Sequence, residues 1–273
     1  MANIREIKSI WDWVESEMIL GHYTFTRSDV VKAFASKSER NIQVELNRLV
    51  KRGELINVWR NFYVIVPVEF RYRGLVPVSF YIDALMKYLG TEYYVSLLNA
   101  AEYYGASHQV PMSFTVMTDC RTFRSGVRNG TRVKFVFRSN LPKYIRKFKT
   151  NMGTINVSTP EQTAVDLLNF EHISGGLGIV ASVLMELSEN VHFDSLDDDF
   201  FRENPLSAFQ RLGYILDEVI EEKELADVLY SRLRSLRLYM KKVPLKTGKS
   251  FDGLAAETRW RIYVNETPEL EDI

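Results

Sequence analysis

The hydrophobic and polar positions of residues 26–66 predict two helices followed by a hairpin. A Ser or Thr with an acid three positions later marks a helix N-terminus, and Thr26-Arg27-Ser28-Asp29 has this form. The segment Ser36-Lys37-Ser38-Glu39 repeats it and predicts a second helix that continues to about Arg52. Gly53 then stands where a left-handed residue commonly ends a helix.

The second predicted helix has one hydrophobic face and one polar face. Ile42, Leu46, Leu49 and Val50 fall on one stripe of a helical period. The other side carries residue types that hydrogen-bond nucleic acids, since arginine recognises guanine, asparagine and glutamine recognise adenine, and lysine contacts the backbone. These residues are Arg40, Asn41, Gln43, Asn47, Arg48 and Lys51.

The hairpin is predicted from two runs of β-branched and aromatic residues, 55–59 and 62–66, separated by Arg60-Asn61. Arg60 at its tip is placed to touch a phosphate or to enter the minor groove. An amphipathic helix is predicted before these elements, over Ile4 to Leu20. Together they have the layout of a winged helix-turn-helix, which presents its second helix to the major groove of duplex DNA.

The charge of this segment favours an anionic partner. From Arg27 to Arg60 there are eight basic and four acidic residues, a local charge of +4 in a chain whose total is zero. We therefore predict that the outward side of the second helix faces bases through Arg40, Asn41, Gln43, Asn47 and Lys51. Phosphates would be held by Arg27, Lys32, Lys37, Arg48, Arg60 and Asn61. The alternative is a helical module that docks a protein.

The remainder of the chain predicts a larger domain that mixes helices and strands. Helical patterns cover Val78–Leu89, Tyr93–Tyr104, Phe209–Ile220 and Lys223–Leu236, and strand patterns cover Ser113–Thr118, Thr131–Arg138, Thr154–Val157 and Trp260–Val264. Thr159-Pro160-Glu161-Gln162 predicts another helix start, with Gln162 closing a capping box. We predict an α+β chain, with a winged helix-turn-helix domain at 1–70 and a mixed α/β domain at 75–273.

Composition narrows the class of protein. At 273 residues with 46% hydrophobic and 26% charged residues, the chain resembles an ordinary globular protein of two domains. Its single cysteine, Cys120, excludes an internal disulfide and suits a reducing compartment. No run of about 20 apolar residues and no signal-peptide pattern is present, so we expect a cytoplasmic protein without a membrane partner.

Charge is strongly segregated along the second predicted domain. The stretch 121–149 has ten basic residues and no acid: Arg121, Arg124, Arg128, Arg132, Lys134, Arg138, Lys143, Arg146, Lys147 and Lys149. Residues 186–203 hold seven acids against one arginine. A strongly basic stretch attracts polyanions, so we predict a basic C-terminal surface. The alternative is a solvated strand pair whose charges meet the acidic stretch.

Catalytic and metal sites are not predicted. His108 with Cys120 is a conceivable nucleophile pair, but a loop histidine and a small buried cysteine are the favoured interpretation. The remaining histidines lack the spacing of zinc ligands. Asp197-Asp198-Asp199 is interpreted as a solvated loop or helix cap rather than a magnesium site. We therefore expect no enzyme activity, no cofactor and no metal.

Several short motifs, in a fixed order, resemble the AbiEi-like antitoxin family, the transcriptional regulators of type IV (AbiE) toxin–antitoxin systems. The matching segments are 94–101, Gly105-Ala106-Ser107-His108-Gln109, 114–118, 158–168, Gly175-Gly176-Leu177 and 260–265. The resemblance implies a bacterial repressor that binds inverted repeats in its own promoter. It also implies a C-terminal domain that counteracts a nucleotidyltransferase-like toxin without a stable complex.

A different partner for the basic stretch is left open. Phe123, Phe135, Phe137, Tyr144 and Phe148 are interleaved with the cations and could stack on bases, so the domain could bind RNA or clamp DNA in a solitary regulator. Aromatic residues at alternate strand positions, such as Phe135 and Phe137, are more often part of a core.

Overall fold

The computed structural model describes residues 7–72, 75–106, 111–128 and 130–271, and it has a mixed α+β architecture. Its contacts divide the chain into two compact units. The first unit comprises Met1–Tyr93, Met112–Ser139 and Lys147–Asn156, and the second comprises Tyr94–Pro111, Asn140–Arg146 and Val157–Ile273. The domain limits predicted from the sequence, 1–70 and 75–273, stay a prediction.

The α-helices of the described residues are α1 Ile10–Ile19, α2 Arg27–Ala33, α3 Glu39–Lys51, α4 Val68–Arg71, α5 Ile82–Leu89, α6 Leu98–Glu102, α7 Pro160–Asn169, α8 Leu177–Leu187, α9 Asp198–Glu203, α10 Leu206–Tyr214 and α11 Lys223–Ser235. Short 3-10 turns cover Val78–Phe80, Ser188–Asn190 and Phe193–Ser195, and a π-helical segment covers Ile215–Val219.

The strands are β1 Thr24–Thr26, β2 Leu55–Trp59, β3 Phe62–Ile65, β4 Tyr93–Val95, β5 Ser113–Thr118, β6 Gly126–Arg128, β7 Thr131–Phe137, β8 Ile145–Thr150, β9 Gly153–Ser158, β10 Val243–Pro244 and β11 Ile262–Tyr263. They form sheets with the orders β1-β3-β2, β6-β7-β5-β4-β9-β8 and β10-β11. Strands β5 and β7 pair in parallel, whereas β6 and β7 pair antiparallel.

Helix α1 begins later than the sequence pattern predicted. The Ser9 hydroxyl accepts a hydrogen bond from the Asp12 amide at 3.1 Å, and the Asp12 carboxylate accepts one from the Ser9 amide at 2.8 Å. This reciprocal cap sets the first helical residue at Ile10. The prediction of a helix from Ile4 is therefore wrong for Ile7 to Ser9, and residues 1–6 lie outside the described residues.

Helices α2 and α3 are capped by local side chains. The predicted box of Thr26 and Asp29 is confirmed, with both reciprocal hydrogen bonds formed. For α3 the cap is Ser38, whose hydroxyl accepts from the Asn41 amide at 3.2 Å, so the predicted start at Ser36 is wrong by two residues. Gly53 has the left-handed φ of 74° that was predicted at this position.

The hydrophobic core of the first unit lies between these helices and the sheet β1-β3-β2. Phe25 stacks on Tyr63 with ring centroids 5.5 Å apart. The predicted hairpin is confirmed as β2 and β3, and Asn61 at its turn has φ of 60°, a conformation that asparagine tolerates better than most residues. The buried side chains of this core are Ile10, Val14, Phe25, Val30, Ile42, Leu46, Leu49, Leu55, Tyr63 and Ile65.

The predicted helix over Tyr93–Tyr104 is wrong in its first part. Tyr93–Val95 is strand β4, and the helix is shortened to Leu98–Glu102. Val95 pairs in parallel with Val157 of β9, so tertiary strand pairing overrides the local helical pattern. The loop predicted between β5 and β7 likewise contains a further strand, β6, which the sequence pattern missed.

Helix α7 is the centre of the second unit. Every residue from Pro160 to Leu168 is buried, including polar ones. Thr159 caps the helix as predicted, accepting from the Gln162 amide at 3.3 Å. The Gln162 side chain does not close a capping box, because it donates to Asp166 at 2.9 Å and to Asn204 at 3.0 Å.

The C-terminal elements are shorter than predicted. Helix α10 ends at Tyr214 and continues as the π-helical segment rather than as one helix to Ile220. The final strand keeps only Ile262–Tyr263. Trp260 is fully buried and fits against Gly213, where a Cβ atom would come within 2.0 Å of the indole ring.

Candidate nucleic-acid interface

Helix α3 separates its hydrophobic and polar sides as the sequence predicted. Ile42 and Leu46 are fully buried and Leu49 is 4% exposed, which fixes the aliphatic side inward. The opposite side is exposed at Arg40, Asn41, Asn47, Arg48 and Lys51.

Gln43 differs from the other predicted base-facing residues. It is half-buried, and its amide donates to Asn47 Oδ1 at 3.0 Å and to the Tyr63 hydroxyl at 3.3 Å. These bonds connect α3 with strand β3 and orient the Asn47 amide. Gln43 is therefore a positioning residue for Asn47 in this structure.

The acids of this segment are all satisfied within the chain. Glu39 pairs with Arg27 at 2.8 Å, Glu45 with Lys37 at 2.8 Å and Glu54 with Arg52 at 2.7 Å. Asp29 accepts hydrogen bonds from Thr26 in the cap of α2. Two predicted phosphate ligands, Arg27 and Lys37, are thus already engaged with carboxylates.

Five cations of the same segment differ from Arg27 and Lys37 in having no carboxylate partner among the described residues. Each is exposed, and among the described residues none of them forms an ion pair: Lys32, Arg40, Arg48, Lys51 and Arg60. Repulsion among unpaired like charges carries a cost in the free chain that an anionic partner would relieve.

The hairpin tip is held from two sides. The Tyr88 hydroxyl donates to the Arg60 carbonyl at 3.2 Å, and the Tyr88 ring lies 5.3 Å from the Phe62 ring. The Arg27 amide donates to the Asn61 carbonyl at 2.9 Å. The Arg60 side chain itself stays exposed, whereas Asn61 is half-buried.

Arg128 has a structural position that the sequence did not reveal. Its guanidinium lies over the Trp59 ring at 4.3 Å and donates to the Val58 carbonyl at 3.4 Å. Burial lowers the pKa of Arg128, and the nearby Tyr81 acts in the opposite direction. Burial also raises the pKa of Tyr81 well above its usual range. No local pattern signals this contact, because Val58 and Arg128 are 70 residues apart.

The aromatic residues of the basic stretch pack on the protein itself. Trp59 lies 5.6 Å from Phe123 and 6.2 Å from Phe135, and Arg121 covers Phe137 at 4.3 Å. Tyr144 hydrogen-bonds to Asp197. Each of these rings therefore has a partner within the protein.

The ten predicted basic residues belong to two different parts of the strand order, and a basic surface stays a prediction. Strands β6 and β7 begin the sheet order β6-β7-β5-β4-β9-β8, and β8 ends it. Arg121, Arg124, Arg128, Arg132, Lys134 and Arg138 belong to or adjoin the β6-β7 end, whereas Lys143, Arg146, Lys147 and Lys149 belong to or adjoin β8. Arg128, Lys134 and Arg138 are half-buried, and the other seven are exposed.

Among the described residues, Lys143 of the basic stretch forms ion pairs with the acidic stretch 186–203. Lys143 pairs with Asp199 at 2.9 Å and with Asp197 at 3.2 Å, and the bond to Asp199 is the main cause of its raised pKa. Asp197 also caps α9, as expected for a helix cap. Asp198 pairs with Arg232 at 3.1 Å.

Residues 94–218 match the sequence model of the family described as the AbiEi antitoxin C-terminal domain. Residues 94–218 are therefore similar to this antitoxin domain, and they are called the AbiEi domain below. The motifs at 94–101 and 158–168, on which the resemblance was based, lie inside the matched residues. No curated protein gives a significant match.

A solved structure shares the fold well beyond the AbiEi domain. The crystal structure of RV2827C protein from Mycobacterium tuberculosis superposes with a TM-score of 0.64, covering 92% of this chain and 90% of that chain. The sequences are 13% identical, so the similarity is one of fold.

The AbiEi domain also contains the residues considered for catalysis. His108 and Gln109 lie outside the described residues. Cys120 is half-buried rather than buried, and its sulfur lies 3.2 Å from the Thr122 hydroxyl. Within the described ranges, no three His, Cys, Asp or Glu side chains are grouped as a metal site requires. No helix in those ranges combines the length and apolar character needed to span a membrane.

Proposed function

We propose that this chain is a type IV antitoxin that also binds duplex DNA and represses its own promoter. Helices α2 and α3 with strands β2 and β3 would act as a winged helix-turn-helix, with α3 in the major groove. The AbiEi domain would counteract a nucleotidyltransferase-like toxin without forming a stable complex. We propose no catalytic role.

The observation that carries this proposal is the outward side of α3. It combines exposed cations with Asn41 and Asn47, while every acid of the segment has a partner inside the chain. Phosphate contacts give affinity and amide or guanidinium contacts to base edges give sequence preference. A surface that only docked a protein would not need both kinds of group on one helix.

Asn47 provides the sharpest test. Because Gln43 holds its amide in place at 3.0 Å, Asn47 is suited to a bidentate contact with adenine. We expect Asn47→Ala to cost about 1–3 kcal/mol at one base position and to leave the salt dependence of binding unchanged. Arg60→Ala should weaken binding to all sequences and lower the salt slope by about 0.9.

The measurement is a gel-shift titration on duplex DNA from upstream of the gene, with single base changes across the site. Asn47→Ala should lose preference at one position, whereas Arg60→Ala should keep every preference. Wild-type protein that binds specific and scrambled duplexes equally would refute sequence recognition. Unchanged affinity in both variants would remove α3 and the hairpin from the interface.

The toxin partner requires a separate experiment. Co-expression with a nucleotidyltransferase-like protein from the neighbouring gene should restore growth, while affinity purification should recover no stable complex. Failure of the antitoxin to restore growth, or the absence of such a neighbour, would leave a solitary DNA-binding regulator.

A further inference from the structure

The loop that precedes β6 is packed against the hairpin tip. Trp59, the last residue of β2, contacts Phe123 with ring centroids 5.6 Å apart, and Phe123 contacts Phe135 at 5.4 Å. Arg60 follows Trp59 directly in the chain. The segment around Phe123 therefore lies beside the exposed tip within the first unit.

One guanidinium joins this loop to the hairpin. Arg128 donates to the Val58 carbonyl at 3.4 Å and to the Arg124 carbonyl at 3.3 Å, and it stacks on Trp59 at 4.3 Å. The Arg128 side chain thus binds the backbone of the hairpin at Val58 and the backbone of the loop at Arg124. The loop has a fixed position next to the tip, as a binding surface needs.

Two exposed cations occupy this loop. Arg121 lies over the Phe137 ring at 4.3 Å, which supports its stem while the side chain stays exposed. Arg124 is also exposed, and among the described residues neither arginine forms an ion pair. Like Arg60, both arginines are exposed and have no carboxylate partner among the described residues.

We propose that Arg121 and Arg124 form a second phosphate-binding arm beside the hairpin tip. Duplex DNA bound by α3 would continue past Arg60 and place its sugar-phosphate backbone on this loop. This inference rests on the proposed function, and it adds a sequence-independent contact from the middle of the chain. Duplex DNA fits better than single-stranded RNA because the neighbouring rings already contact Trp59 and Arg121, whereas binding of a single strand uses rings on which bases stack.

The chain supplies a control of equal charge. Lys147 and Lys149 are exposed cations of the same basic stretch, but they lie on β8 at the other end of the sheet order. Neutralising them changes the net charge as much as neutralising Arg121 and Arg124. A difference between the two pairs therefore reports a local contact rather than overall charge.

The experiment compares full-length Arg121→Gln/Arg124→Gln with full-length Lys147→Gln/Lys149→Gln by fluorescence anisotropy on the upstream duplex over a series of KCl concentrations. Each phosphate contact contributes about 0.9 to the slope of log affinity against log salt, so the arginine pair should lower it by about 1.8. The lysine pair should leave it unchanged. Arg124→Lys, which keeps the charge, should retain the slope of the wild type.

A second, shorter duplex tests whether the loop contacts the DNA beyond the hairpin. When the DNA is shortened on the side of the hairpin, wild type and the arginine variant should bind equally, because the backbone that the loop contacts is gone. Unfolding midpoints within error of the wild type would show that both variants are folded.

Three outcomes overturn the inference. Equal weakening in both variant pairs would indicate diffuse electrostatics, and unchanged binding in the arginine pair would remove the loop from the interface. The same anisotropy titration is made with tRNA, and an arginine pair that loses tRNA binding but keeps duplex binding would assign the loop to RNA. In each case wild type still binds the duplex and Asn47→Ala still changes preference, so the proposed function stands. Wild type without salt-sensitive duplex binding would instead refute the proposed function itself.

Discussion

Helices α3 and α7 use their polar side chains in opposite ways. On α7, Asp166 is fully buried and accepts hydrogen bonds from the Tyr94 hydroxyl at 2.8 Å, the Ser96 hydroxyl at 2.8 Å and Gln162 at 2.9 Å. On α3, the cations Arg40, Arg48 and Lys51 are exposed and lack ion-pair partners among the described residues. The first arrangement stabilises the fold, and the second is available to a ligand.

The contrast extends to buried charges elsewhere in the second unit. Glu171 has a side chain that is 1% exposed, and it pairs with Lys246 at 3.0 Å and accepts from Thr247. Arg259 pairs with Asp217 at 3.0 Å. Buried charges need such partners because an isolated one is costly, whereas an exposed cation remains hydrated without one. The two kinds of residue should therefore respond differently to substitution.

The largest effect is expected at Asp166. Asp166→Ala removes the acceptor that the Tyr94 and Ser96 hydroxyls share and one of the two acceptors of the Gln162 amide, so we expect a loss of roughly 3 kcal/mol or more in the free energy of unfolding. Urea denaturation of the wild type and the variant measures this difference in unfolding free energy. A loss below about 1 kcal/mol, the scale of one ordinary hydrogen bond, would show that the network does not stabilise the unit.

Glu171 should make stability depend on pH. Burial acts to raise its pKa, but hydrogen bonds from Thr247 and Lys246 outweigh burial and hold the pKa of Glu171 below its ordinary value of 4.5. A depressed folded-state pKa means that the pair stabilises fully above the unfolded pKa and that this stabilisation disappears as pH falls through the folded one. Glu171→Gln should cost about 1–3 kcal/mol at pH 7.

The pH series separates this effect from simple packing. Between neutral pH and pH 3, the wild type should lose more unfolding free energy than Glu171→Gln, so that the two curves converge in acid. Curves that stay parallel over the whole window would mean that the carboxylate charge is not the source of the stabilisation.

A smaller effect is expected at Arg128, the cation of the basic stretch that stacks on Trp59. Arg128→Ala removes this stacking and the bond to Val58, which should cost about 1–2 kcal/mol. Arg128→Lys should not restore it, since lysine lacks the planar guanidinium. The exposed Arg132 is the control, and Arg132→Ala should change stability by less than about 0.5 kcal/mol. Equal thermal stability of the two alanine variants would contradict a structural role for Arg128.

Local signals in the sequence predicted the local structure well. The box at Thr26, the left-handed Gly53, the hairpin with Asn61 at its turn and the buried face of α3 all depend on neighbouring residues, and all were found. The start of α3 was wrong because the pattern of Ser36 with Glu39 three positions later favoured Ser36, whereas Ser38 caps the helix without an acid at that spacing.

Contacts between distant residues could not be predicted in this way. Glu39 forms an ion pair with Arg27, which lies 12 positions earlier in the sequence. Arg128 stacks on Trp59 only after the strands have paired. For the same reason the sequence did not predict the strand order, which places β6 and β7 at one end of the sheet and β8 at the other. The candidate interface was therefore predicted in its α3 face but not in its supporting contacts.

The most direct test neutralises the unpaired cations of α3 together, as Arg40→Gln/Arg48→Gln/Lys51→Gln, and measures duplex binding and unfolding on the same preparation. We predict that the salt slope falls by at least about 0.9, the contribution of the phosphate contact assigned to Arg48, and that sequence preference is lost at the base positions assigned to Arg40 and Lys51. The unfolding free energy should change by less than about 0.5 kcal/mol for each substitution, as expected for exposed side chains. Unchanged affinity and slope in a folded variant would contradict a nucleic-acid role for this helix.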